Sequence, residues 1–136
     1  MTAGDILLHS HFKYEDGTVG GKLLVILNSP DTAKNEPYLF VKTTSRLKGK
    51  QLTPGCIAAW GIFYIPPHKD FFDDHTVLDL RDIREIDPTS LVKDHFDGSV
   101  NKVNQLSFLT ISQLKNCLKQ IKEDISEKHY TLIFKK

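Results

Sequence analysis

The sequence predicts a mainly β fold, a small and strongly bent barrel with a helix packed against it. Three observations carry that expectation. Short runs of aromatic and β-branched residues recur between Asp-Gly, Pro-Gly and Pro-Pro turns. Those runs alternate or are continuously apolar, whereas a clear helical period shows only near the C-terminus. A length of 136 residues suits one hydrophobic core, and no repeat or low-complexity linker interrupts it, so residues 1–136 read as a single domain.

Residues 5–14 alternate, with Ile6, Leu8, Ser10, Phe12 and Tyr14 on one face and Leu7, His9, His11 and Lys13 on the other. That is the pattern of a half-buried strand. Asp16-Gly17 then supplies the positive φ of a tight turn. The apolar run Leu23–Leu27 suits a central strand buried on both faces. Tyr38–Thr43 is a third strand, and Arg46-Leu-Lys-Gly-Lys50 reads as a cationic loop. After Pro54-Gly55, Cys56–Ile65 forms one strand or a pair of short ones, with Gly61 as the bend. Pro66-Pro67 stops it, and His68–His75 is a loop whose two phenylalanines need somewhere to dock. Thr76–Leu80 is another short strand.

Asp87-Pro88 is a helix start, with Asp as N-cap and Pro at the first helical position. Leu91, Val92 and Phe96 give that helix an apolar side, and Gly98 is placed to end it. Val100–Phe108 has room for a further short strand. Helical spacing of Ile111, Leu114, Leu118, Ile121 and Ile125 predicts the longest helix from about Ile111 to Glu127, with Thr110 and Gln113 at capping-box spacing. Tyr130–Phe134 is expected as a last strand.

Composition narrows the function. Eighteen basic residues against 17 acidic ones leave a net charge of +1, so the chain does not hold long nucleic acid by overall charge. RNA remains a ligand for a local basic patch. Cys56 and Cys117 show no disulfide or zinc spacing and are expected as buried free thiols in a reducing compartment. The N-terminus lacks the pattern of a signal peptide and the longest apolar run is too short to span a bilayer, so no membrane role and a cytoplasmic location are expected. No nucleophile-elbow, P-loop or dinucleotide-binding pattern occurs.

RNA cleavage by internal attack needs a proton acceptor, a proton donor and positive charge at the phosphate. His9 and His11 lie two apart on one strand, with Lys13 beside them and Lys22 across the hairpin. They form either a titratable site or the plain solvent side of the strand. His68 and His75, with Asp70, Asp73 and Asp74 between, fit no familiar ligand spacing and read as a charged surface loop, so neither metal nor cofactor is expected. Trp60, Tyr64, Phe71 and Phe72 are either core or dimer-contact residues or platforms for stacked bases.

The order of short motifs resembles the PemK/MazF-like toxin family. Gly4-Asp5-Ile6-Leu7 is similar to its opening, and Lys22-Leu-Leu-Val-Ile-Leu27 fills the place of a basic residue before an apolar strand. Lys42-Thr-Thr-Ser45 resembles the Thr-Ser pair that ends the next strand. Leu80–Leu91 is similar to the segment before the small helix, with Arg84, Ile86, Asp87 and Leu91 matching. The resemblance implies an SH3-like barrel that forms a homodimer, cleaves single-stranded RNA without a metal and is held inactive by an antitoxin protein. It assigns phosphate stabilisation to Lys22, where the family has arginine, and orientation to Thr44 and Ser45. Proton handling falls to His11 or to the Asp79, Arg81 and Arg84 segment, where acid and arginine stand in inverted order. Arg46, Lys48 and Lys50 are expected to bind RNA. The alternative is an inactive SH3-like barrel that binds RNA or protein.

Overall fold

A computed structural model describes residues 1–45 and 52–134. The expected cationic loop with Arg46, Lys48 and Lys50 lies outside the described residues. The strands are β1 (Asp5–Lys13), β2 (Val19–Ile26), β3 (Tyr38–Thr44), β4 (Gly55–Ile57), β5 (Ile62–Ile65), β6 (Thr76–Asp79), β7 (Arg84–Ile86) and β8 (Val100–Gln105). The helices are α1 (Pro88–Phe96), α2 (Phe108–Gln120) and α3 (Glu127–Phe134).

All strand pairs are antiparallel, in the order β4-β5-β6-β3-β2-β1-β8. The far edge of β3 is divided: Tyr38, Leu39 and Phe40 pair with β7, and Thr43 and Thr44 pair with β6. Splitting one edge between two partners bends the sheet there. Among the described residues the sheet ends at β4 and β8 and does not close on itself.

The centre of the sheet is buried on both sides, as the unbroken apolar run of β2 requires. On one side Ile6, Val25, Leu39, Val41, Phe63 and Leu78 pack with Leu114 and Leu118 of α2 and Ile133 of α3. On the other, Leu7, Phe12, Leu24, Ile26 and Phe40 pack with Leu91 of α1. Phe72 docks into the first of these cores, which anchors the 68–75 loop.

Four local expectations are corrected. The strand expected over Tyr130–Phe134 is the helix α3. Ser126 starts it by accepting the Tyr130 N–H on its carbonyl and the His129 N–H on its hydroxyl. Helical spacing then brings the Tyr130 and Phe134 rings to 4.6 Å and buries Ile133. Tertiary burial overrides the β preference of this segment.

The long helix begins earlier than the Thr110 cap implies and ends earlier too, at Gln120. Ser107 is its N-cap, and its hydroxyl accepts the Thr110 N–H. Asp70 adds a second fastening, accepting from the Ser107 N–H at 2.6 Å and the Thr110 hydroxyl at 2.8 Å.

The cysteines are not free. Cys56 and Cys117 form a disulfide that ties β4 to α2. Nothing in their spacing of 61 residues signals the bond, because the sheet and helix bring them together only in three dimensions.

The strict alternation of the first strand also fails. A register shift between His9 and Phe12 turns Phe12 onto the face of Leu7, and His11 is left exposed.

Candidate functional site

One face of the sheet changes character along its length. Leu24, Ile26 and Phe40 form its apolar end under α1. The register pairing Leu24 with Lys42 runs, two residues further along each strand, toward Lys22 and Thr44. Alternation places Lys22 on the face of Leu24, and Lys42 and Thr44 on the face of Phe40. The same pleat therefore delivers a cationic end next to the apolar one.

That end carries a hollow of about 650 Å3 lined by Lys22, Thr44, Ser45, Asp79 and Arg84, together with Lys42. Five of the sequence-predicted catalytic residues thus meet at one place, although they come from β2, β3, β6 and β7. Phe12 lies beneath the cations, with Lys42 Nζ and the Arg84 guanidinium carbon each 6.0 Å from its ring centre. Lys22 Nζ stands 5.7 Å from the ring centre of Tyr14, whose hydroxyl donates to the Gly21 carbonyl at 2.6 Å. These contacts hold flexible side chains over the hollow.

Asp82 sets the charge available there. Its carboxylate pairs with Lys42 at 3.4 Å and with Arg84 at 3.3 Å. Burial pushes this carboxyl up, but hydrogen bonds and charge from Arg84 and Lys42 outweigh it and hold the group below the ordinary carboxylate range. Both cations share one counter-charge before any ligand arrives.

Two predicted residues stand elsewhere. Arg81 is turned away, its Nε 3.2 Å from Asp124 and its guanidinium donating to the Ala59 carbonyl at 3.3 Å. Only its backbone N–H reaches Asp79, at 3.1 Å, so the two do not form an acid–arginine pair. Arg81 instead fastens the turn after β6 to the short helical turn Lys122–Asp124 that follows α2. His11 lines a neighbouring hollow of about 310 Å3 that shares Phe12, Lys13 and Arg84 with the first. Its backbone N–H donates to His9 Nδ1 at 3.3 Å. His11 is not among the residues that line the hollow of Lys22 and Thr44.

The sequence reading did not include Lys42, Tyr14 or His75 in the site. Lys42 was legible by alternation, because it lies two residues before Thr44. His75 was not. It lines a second hollow of about 420 Å3 that shares Lys22, Thr44 and Ser45 with the first, together with Phe71 and Phe72. The Tyr64 hydroxyl hydrogen-bonds its Nδ1, and the Tyr64 and His75 rings lie nearly parallel at 5.8 Å. Only pairing of β5 with β6 brings those residues together.

The assembled groups can bind a phosphodiester. Ammonium and guanidinium groups offer charge, Thr44 and Ser45 offer hydroxyls, and Asp79 offers a carboxylate that can accept a proton. No model of a known protein family matches the sequence, and no curated protein matches it.

Proposed function

We propose that this chain is a PemK/MazF-type toxin that cleaves single-stranded RNA without a metal ion. The observation that carries the reading is the meeting of Lys22, Thr44, Ser45, Asp79 and Arg84 around one hollow. Those residues come from separate stretches of sequence, and nothing in their spacing alone forces them together.

In this reading the bent sheet is a variant of the family's SH3-like barrel, and the chain acts as a homodimer under an antitoxin protein. Lys22 and Arg84 stabilise charge on the phosphate, and Thr44 and Ser45 orient it. Lysine offers a point charge in place of the fork that arginine presents, so the grip on phosphate is less directional. The Asp79 carboxylate accepts the 2′-hydroxyl proton as that oxygen attacks phosphorus. The products are a 2′,3′-cyclic phosphate and a 5′-hydroxyl.

Incubating the purified protein with single-stranded RNA in EDTA tests the proposal. Fragments ending in a cyclic phosphate are expected, and a strand with 2′-deoxyribose at the cut position should stay intact. Cleavage of the deoxy strand would rule out internal attack.

A second reading is a module that binds RNA without cutting it. The sharing of Asp82 between Lys42 and Arg84 favours it, because it leaves less charge for a transition state. Retention of RNA with no fragments, and harmless expression at high level, would select this reading. Growth arrest relieved by a small adjacent gene product would select the toxin.

A further inference from the structure

The two hollows share a wall made of Tyr14, Lys22, Thr43, Thr44 and Ser45. Asp79 lines only the first hollow and His75 only the second. We propose that His75 is the general acid of the cleavage, protonating the leaving 5′-oxygen of a nucleoside seated against Phe71 in the second hollow. This rests on the RNA-cleaving reading above and names a residue that reading lacks.

Displacement at phosphorus places the attacking and leaving oxygens on opposite sides. Thr44 pairs with Val77, and His75 and Asp79 stand two residues to either side of Val77 along the chain, so a phosphate held at Thr44 lies between them. In the step, the O2′–P bond forms and the P–O5′ bond breaks. The 2′-hydroxyl proton passes to Asp79, and the His75 imidazolium gives its proton to O5′.

Residue chemistry agrees. An alkoxide leaves poorly without a proton, and lysine or arginine gives one up reluctantly at neutral pH, whereas imidazole is suited to it. Tyr64 is buried and hydrogen-bonded to Nδ1, which leaves Nε2 as the nitrogen for substrate. A tyrosine hydroxyl both donates and accepts, so it can hold the ring in either protonation state. Tyr64 is therefore a positioning residue. The charged groups that share the hollow with His75 are Lys22 of β2 and Asp73 and Asp74 of its own loop, with Tyr14 opposite. Phe71 is half-buried and lines this hollow, where an aromatic ring can stack on a base.

A substrate that needs no acid provides the test. Two matched RNA oligonucleotides are used, one with its natural 5′-bridging oxygen and one with sulfur in that position, since a thiolate leaves without a proton. His75→Ala should lower cleavage of the oxygen strand by about 100-fold or more while cutting the sulfur strand near the wild-type rate. Tyr64→Phe should show a smaller loss on the oxygen strand and a matching recovery on the sulfur strand. Equal rates of wild type and His75→Ala on the oxygen strand would overturn the inference and leave the nuclease reading intact. Equal losses on both strands, in a variant whose circular dichroism and melting match wild type, would overturn the acid role. Wild-type protein that cuts neither strand would overturn both.

Discussion

Asp82 decides how much positive charge the hollow offers. Its carboxyl is held below the ordinary range by Arg84 and Lys42, so its contribution to stability is complete above the unfolded value. That contribution is lost as pH falls through the lower folded value. Asp82→Asn should therefore be slightly less stable than wild type near neutrality, by under about 1 kcal/mol because the pair is half-exposed, and the gap should close in acid. The same change frees Lys42 and Arg84 for phosphate. Single-stranded RNA should bind about 3–10-fold more tightly at low salt, with a steeper decline as salt rises. Fluorescence anisotropy across a salt series measures this, and unchanged affinity would place RNA elsewhere. Arg81→Ala makes a useful contrast: its guanidinium serves Asp124 and Ala59, so cleavage should not change.

At the scale of elements, legibility followed the range of the interactions. The existence of the first and third strands and of the Asp87-Pro88 helix was readable because β preference and a proline at the first helical position are local signals. The ends of the longest helix and the identity of residues 130–134 were not. Those depend on Asp70 arriving from a distant loop and on Ile133 finding the core. The site divides in the same way. Lys22, Thr44 and Asp79 carry motif signals, whereas His75 joins only through the pairing of β5 with β6. Gly61 was recognised as a bend, and the structure supplies the reason. It has φ +63, and a Cβ there would lie 2.5 Å from Arg81 Nε. Gly61→Ala should cost about 1–2 kcal/mol in urea unfolding and release Arg81 from Asp124. A neutral result would mean that this turn yields more readily than its packing implies.

Over the described residues the molecule is a sheet with one helix over one face and two against the other, so its centre is well buried and its edges carry the risk. The edge strand β8 is exposed from Asn101 to Gln105 and polar there except at Val103, which discourages pairing with other chains. Among the described residues no helix is long and apolar enough to cross a membrane. At the other end of the sheet, β4 is short and is tied to α2 by the Cys56–Cys117 bond. For a separation of 61 residues, restriction of the unfolded chain makes such a bond worth roughly 4 kcal/mol. Cys56→Ser should melt well below the oxidised wild type, and dithiothreitol should bring wild type down toward it. Identical melting with and without reductant would mean that the thiols are free in solution.

The hollow at Lys22 and Thr44 is the centre of the account, and RNA cleavage by a double variant tests it most directly. Wild type and Lys22→Ala/Thr44→Ala protein, matched for folding, are compared on the same single-stranded RNA in EDTA. The account predicts cleavage by wild type and a loss of at least about 100-fold in the variant. Equal cleavage by both proteins would contradict it, because the chemistry would then lie outside this hollow.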